Sequence, residues 1–513
     1  MTDPRNIDVP AAYAELLERL RAIATLSSAS SALAWDQETM MPSAGAALRA
    51  EQLATLAKLV HDRATDERLG ELITASEADP ALADDEATAA NLREMRRDYE
   101  RATRLPGALV RELTATTSLS MEAWKDARAR SDFAAFAPWL AKVLALTRER
   151  AQHLADGGEP YDALLDEYEP WMTAARLEPL FADLRGELTP LIHRAAESPG
   201  PPDEAVLRVA VPIARQQEFN REVAGRMGFD FAAGRLDTST HPFCEGIGPG
   251  DTRLTTRYRD DGWADALSST MHEAGHGLYE QGLLKTRFRG QPLASSASFG
   301  AHESQSRLWE NLVGRSRAFW RWAFPHAVAT LGVALARFDE EWIYRASNTV
   351  RPTLIRVESD EATYNLHIML RFDLERALLS GDLPVGDLPA AWNERVREDL
   401  KLEVPDDARG CLQDVHWSMG YIGYFPTYTL GNLYAAQLWS AITAALPDLE
   451  SQLAAGEFTP LLGWLRENVH HHGRRYPAEE LFRRATGEPL RSDGLIRYLG
   501  NKVEDVYGDG AAV

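Results

Sequence analysis

Apolar residues recur at intervals of three and four through most of the chain, and this spacing limits the fold more than any other feature. "AAYAELLERLRAIATL" (11–26) and "FAPWLAKVLALTRERAQHL" (136–154) each put an apolar stripe on one helical face and charge on the other. Such stripes need partners, so a chain built from them becomes a set of packed helices. At 513 residues it exceeds what one simple core serves, and two or more lobes are expected. The strongest break is "ESPGPPDE" (197–204), where proline and glycine cannot continue a helix. It sets a coarse boundary between 1–200, an N-terminal helical region, and 201–513, which carries the motifs discussed below. Helical pattern resumes at once in "EAVLRVAVPIARQQEFNREVAGRMG". Only 230–260 has another texture, short and turn-rich, with "TRLTTRY" (252–258) as its best strand. The fold class read from these patterns is mainly α with a small sheet.

A net charge of −22 repels phosphate backbones and anionic membranes, so neither nucleic acid nor a membrane surface is expected as a partner. No apolar run approaches the roughly 18–20 residues that span a bilayer. The opening "MTDPRNIDVP" has no export signal, and two cysteines, Cys244 and Cys411, do not make a disulfide framework. A cytoplasmic protein is expected.

Chemistry concentrates in "SSTMHEAGHGLYEQG" (268–282). On a helix, His272 and His276 share one face about one turn apart and can aim both imidazoles at a single ion. Glu273, rotated by ~100° from His272, can reach a water on the open side of that ion. Leu267, Met271, Ala274 and Leu278 form the apolar stripe beside them, and Gly282 is the expected stop. This H-E-x-x-H arrangement is a zinc-peptidase signature.

Two histidines and a carboxylate leave a coordination position open, so a third ligand is required. A metzincin continuation needs glycine at 279 and histidine at 282, where the chain has Tyr279 and Gly282. An aminopeptidase-like spacing puts glutamate near 295, which is Ser295. The first good carboxylate is Glu303 in "GAHESQSRLWENLVG", with Glu280 and Glu310 as competitors. His470, His471 and His472 point in three directions on a helix, and are read as surface or helix-end residues.

Eight ordered motifs resemble the carboxypeptidase Taq, or M32, metallocarboxypeptidases. They are "WDQETMMP" (35–42), "YDALLDEYEP" (161–170), "HPF" (241–243), "DTRLT" (251–255), "HEAGH" (272–276), "HESQSRLWEN" (302–311), "IRVESDEATYNLHIMLRFDLE" (355–375) and "GCLQDVHWSMGYIGYFPTYTLGN" (410–432). Ser359 stands where alanine is expected, and Trp171 where glycine is expected after "YEP". The resemblance implies a two-lobed helical zinc peptidase that forms a homodimer, with a deep substrate groove and a small sheet near the site. The 1–200 region would form one wall or cap of that groove. Implied too are peptide substrates and release of single C-terminal residues with broad specificity. It assigns His272, His276 and Glu303 as ligands of one divalent ion per chain and Glu273 as the base. Zinc is the default ion, and cobalt or manganese also suits nitrogen and oxygen ligands.

The oxyanion formed during peptide hydrolysis needs donors besides the ion. The segment "QDVHWSMGYIGYFPTY" supplies His416, Tyr424 and Tyr428, and likeness to related helical zinc peptidases favours His416 and Tyr428. Reading a terminal carboxylate suits arginine, whose planar fork matches it with two parallel hydrogen bonds. Arg356 and Arg253 are the candidates; the structural alternative is ion pairing to Asp360 and Glu361 for the first, and to Asp251 for the second. The "TRLTT" strand, if it has a free edge, can pair with an extended peptide. His241 is placed at the substrate end of the site or in a turn-stabilising role. The competing functions are an oligopeptidase cleaving internal bonds of short peptides and a non-catalytic peptide-binding relative.

Overall fold

The computed structural model describes residues 11–508; the opening ten residues, in which no export signal is read, lie outside them. The chain forms two compact units, each assembled from three separate stretches.

The first unit comprises Met1–Arg104, Val211–Ala297 and Glu457–Ala485. Its long helix Ala11–Thr39 packs on helices Ala46–Ala64 and Glu67–Glu77. Tyr13, Leu16, Leu69, Leu72, Ile73, Leu92 and Met95 form the core there. Three short strands follow: β1 (Gly234–Thr238), β2 (Cys244–Gly248) and β3 (Asp251–Thr256). Their order is β1-β3-β2, with β1 parallel and β2 antiparallel to β3. The strand expected in "TRLTTRY" is therefore the central one. Both of its edges are occupied, so it cannot add a peptide strand.

Helix Trp263–Gly282, the histidine helix, lies against β2 and β3. Its stripe of Leu267, Met271, Ala274 and Leu278 is buried, as the spacing requires. Close approach to the sheet depends on Gly277, where a Cβ would stand 2.8 Å from both Leu254 and Phe229 side-chain atoms. Helix Ile213–Met227 begins later than its sequence pattern. Pro212 precedes it, and the proline ring keeps Val211 out of helical backbone.

The second unit comprises Leu105–Ala210, Ser298–Gly456 and Thr486–Val513. Helices Gly107–Arg130 and Phe133–Ala155 pair as a hairpin; Asp132 caps the second by accepting from the Ala135 amide at 3.1 Å. Helix Phe299–Arg307, the glutamate helix, runs against helix Pro426–Ala445 and continues into a π-helical turn, Leu308–Val313. Helix Thr363–Ser380 is buried almost all round, including the polar Asn365, His367, Arg371 and Glu375. Among the described residues no helix is long and apolar enough to cross a membrane.

Candidate metal centre and its surroundings

His272 and His276 come from successive turns of the histidine helix, with ring centroids 4.9 Å apart. Both are half-buried, while Glu273 between them is 6% exposed. The same helix ends against His470, whose ring meets Tyr279 at 5.0 Å. A Cβ on Gly282 would collide with that imidazole at 2.3 Å. His470 is thus buried, not a surface residue, because the chain after Asn468 folds back in a 3-10 turn. On β2, burial first and then the Glu280 and Glu273 carboxylates push the Cys244 thiol up, so it stays protonated.

Glu303 sits at mid-length of the glutamate helix and is buried. Arg307 Nε donates to its Oε1 at 2.7 Å and Ser306 Oγ to its Oε2 at 3.1 Å. These are the neighbours three and four residues on, so the carboxylate is oriented by its own helix. Space for it is made by Gly431, where a Cβ would stand 2.5 Å from Glu303 Cγ. The helix itself is fixed at its start by the buried Glu169, which accepts from Ser298 Oγ at 2.8 Å and the Gly300 amide at 3.0 Å. His272 and His276 of the first unit and Glu303 of the second each offer one ligand atom of a kind that holds a metal ion. Two imidazole nitrogens and a carboxylate oxygen are a donor set that fits a divalent ion with an open position. Of the competitors, Glu280 is paired with Lys285, and Glu310 with Arg307 at 3.2 Å and Arg315 at 4.0 Å.

The segment after Gly410 builds a second cluster. His416 opens a 3-10 turn, His416–Met419, with its ring 4.5 Å from Phe425, 5.4 Å from Tyr424 and 6.4 Å from Tyr428. Burial, with Arg356 and Arg371 adding, overrides the pull of Asp414 and lowers its pKa to about 4, so the imidazole is neutral at pH 7. Its Nδ1 is buried without a hydrogen-bond partner among the described residues. The Tyr424 and Tyr428 rings are 5.4 Å apart, and burial pushes both phenols up, Tyr424 to about 12. Both therefore remain hydroxyl donors.

Arg356 is buried, and its partner is neither Asp360 nor Glu361. Its Nε and Nη2 donate to Asp414 Oδ1 at 3.0 and 2.7 Å, and its Nη1 to Tyr364 Oη at 2.9 Å. One hydrogen on each terminal nitrogen is left over. Arg371 also donates to Asp414, through Nε at 2.7 Å. Burial opposes charge on Asp414, but the two guanidiniums outweigh it and hold the carboxyl well below the usual range. The cluster thus sets two cations against one anion. Asp360 instead accepts from the amides of Arg351, Ala362 and Thr363, and Glu361 binds Tyr498 and Lys502.

Arg253 lies on β3, paired to Asp251 at 2.9 and 2.8 Å and stacked over Trp35 at 4.4 Å. His241 is exposed in the turn after β1, and its carbonyl accepts from Ser239 Oγ at 2.6 Å.

Asp414 and Glu375 were not singled out from sequence, although each organises this cluster. Glu375 is wholly buried and accepts from Tyr161 Oη at 3.0 Å, Trp417 Nε1 at 2.9 Å and the Gly423 amide at 3.0 Å. It ties down the turn between His416 and Tyr424. Burial lifts its pKa from the ordinary 4.5 to about 7. Asp414 carried a faint signal, an acid two residues before a candidate donor histidine; Glu375 carried none.

The sequence profile of the carboxypeptidase Taq (M32) metallopeptidases matches residues 15–503. Thermostable carboxypeptidase 1 of Thermus thermophilus is 47% identical over 508 residues, covering 97% of this chain and 99% of the relative. Carboxypeptidase 1 of Bacillus subtilis is 37% identical, covering 96% and 98%. Among solved structures, the M32 carboxypeptidase of Deinococcus radiodurans matches with a TM-score of 0.94 at 43% identity, covering 97% of this chain and 99% of that one. The Pyrococcus furiosus carboxypeptidase matches with a TM-score of 0.93 at 36% identity, covering 97% and 100%.

Proposed function

Because this chain belongs to the carboxypeptidase Taq (M32) metallopeptidase family, we propose that it releases single amino acids from peptide C-termini with broad specificity. His272, His276 and Glu303 would hold the divalent ion, zinc by default and cobalt or manganese as fitting substitutes. The observation that carries this is the pair of imidazoles one turn apart on the histidine helix, with the Glu303 carboxylate oriented on its own helix by Arg307 and Ser306. When bound, the ion supplies Lewis acidity and brings the pKa of water down to about 7.

Glu273, one residue after the first histidine, takes the proton of the attacking water and passes it to the leaving amine. His416, Tyr424 and Tyr428 are the oxyanion donors. All three hold their hydrogens at neutral pH, and their fixed packing means no reorientation is needed as charge develops. Arg356 reads the terminal carboxylate with its two remaining hydrogens, and the surplus positive charge around Asp414 favours an incoming anion. Arg253 is the weaker candidate for that carboxylate because Asp251 already pairs with it, and His241 lines the substrate end of the site or steadies its turn.

Metal quantification beside a peptide ladder assay, with and without chelator, tests the whole proposal. Stepwise loss of single C-terminal residues that stops on chelation and returns with added ion is expected. Internal fragments would instead support an oligopeptidase, a reading that gains from the commitment of Arg356 to Asp414. The intact Glu273 argues against a non-catalytic relative. A homodimer in the cytoplasm completes the proposal, resting on the family resemblance and the low cysteine content.

A further inference from the structure

Tyr364 is the second residue of helix Thr363–Ser380, and its backbone is fixed by the residues just before it. Its amide donates to the Asp360 carbonyl at 3.0 Å, while the Asp360 carboxylate accepts from the Ala362 and Thr363 amides, both at 3.0 Å. These bonds satisfy donors that a helix start leaves open. The side chain is buried, yet an apolar filler of the same size could not take its place. Its hydroxyl oxygen accepts from Arg356 Nη1 at 2.9 Å, the one nitrogen of that guanidinium which Asp414 does not take.

A second arginine meets the same side chain elsewhere. The Arg307 guanidinium spends its edge on two carboxylates, Nε on Glu303 at 2.7 Å and Nη1 on Glu310 at 3.2 Å. Its face lies over the Tyr364 ring, with Cζ 4.6 Å from the centroid. An arginine can do both at once, since its donors lie in the guanidinium plane and its π surface lies above it. The ring therefore limits where Arg307 can stand, and Arg307 orients the Glu303 carboxylate. Arg356 is farther from the ring, with Cζ 5.8 Å from the centroid, and its contact runs through the hydroxyl. The Tyr364 and Tyr428 rings meet nearly at right angles, 6.0 Å apart. One side chain thus touches the partner of a proposed metal ligand, the proposed carboxylate reader and a proposed oxyanion donor.

Resting on the carboxypeptidase proposal, we infer that Tyr364 is a positioning residue with two separable parts. Its ring face holds Arg307, and through it Glu303 in the orientation that receives the ion. Its hydroxyl holds Arg356 in the orientation that receives the peptide's terminal carboxylate. Cleavage of the last peptide bond needs those two groups at a fixed spacing, and a rigid phenol between their arginines supplies it.

The test compares Tyr364→Phe, which keeps the ring and loses the hydroxyl, with Tyr364→Leu, which loses both. Zinc affinity is read by competition with a chelating dye, and kcat/KM on free-acid and C-terminally amidated forms of one peptide. Tyr364→Phe should bind zinc as wild type does and lose roughly three- to tenfold on the free acid alone, the scale of one hydrogen bond. Tyr364→Leu should add a roughly three- to thirtyfold loss of zinc affinity, the scale of one cation–π contact. Circular dichroism checks that each variant folds; if Tyr364→Leu does not, Tyr364→Met replaces it, filling the volume without a π face. Equal weakening of zinc by both variants, wild-type zinc affinity in Tyr364→Leu, or equal loss on both peptide forms overturns the proposal. Wild type that binds zinc but releases no C-terminal residue takes the carboxypeptidase reading down together with it. Release by wild type alongside any of those three outcomes removes the role of Tyr364 alone.

Discussion

At the scale of single residues, the cluster around Asp414 shows how one buried anion can leave a site electropositive. Removing Arg356 still leaves Asp414 paired with Arg371, so Arg356→Ala is expected to fold. Its kcat/KM on free-acid peptides should drop roughly tenfold to a hundredfold, the worth of charge-assisted hydrogen bonds, with no matching drop on C-terminally amidated peptides. Equal loss on both would make the arginine structural. Glu273→Gln should retain its metal and lose roughly a hundred- to ten-thousand-fold in kcat. Glu375 makes a prediction about stability. With its pKa raised to about 7 in the fold, it keeps a proton at pH values where the unfolded chain has released one. The native state binds more protons between about pH 4.5 and 7, so this group's contribution is present below that window and lost as pH rises through it. Glu375→Gln should flatten that slope, read as denaturation midpoints at pH 5 and pH 8. His272 and His276 could be picked out as candidate ligands from their spacing, and Glu303 as a third only beside Glu280 and Glu310. Asp414 and Glu375 were not, since a buried acid is defined by partners far away in sequence.

At the scale of elements, the glutamate helix is aligned by two neighbours. Glu169 holds its start, and the missing side chain of Gly431 lets helix Pro426–Ala445 lie close to Glu303. Gly431→Ala should push Glu303 aside and weaken metal binding by roughly tenfold or more, while secondary structure by circular dichroism is unchanged. A variant with wild-type metal affinity would mean the helices can part without loss. Helix positions were readable from periodicity, as the buried stripe of Leu267, Met271, Ala274 and Leu278 shows. Strand neighbours were not. "TRLTT" has the composition of any half-buried strand, and nothing local reveals that β1 and β2 take both of its edges. The burial of His470 was hidden for the same reason: a run of three histidines carries no sign of which one turns inward.

At the scale of the whole molecule, an ion held by the proposed ligands, which are distant in sequence, would bind the folded chain and not the unfolded one. Chelation is therefore expected to lower the thermal midpoint by several degrees as well as to stop turnover, and re-addition of the ion should restore both. Loss of activity with an unchanged midpoint would mean the ligands are organised without it. Each unit draws one of its three stretches from the last part of the chain, Glu457–Ala485 for one and Thr486–Val513 for the other. During synthesis, then, the first unit cannot close before residues 457–485 are made, nor the second before the stretch that starts at 486. For most of that time, unfinished apolar surfaces emerge from the ribosome with their final partners still unmade. The nascent protein should lean on chaperones to a degree that its finished form gives no hint of.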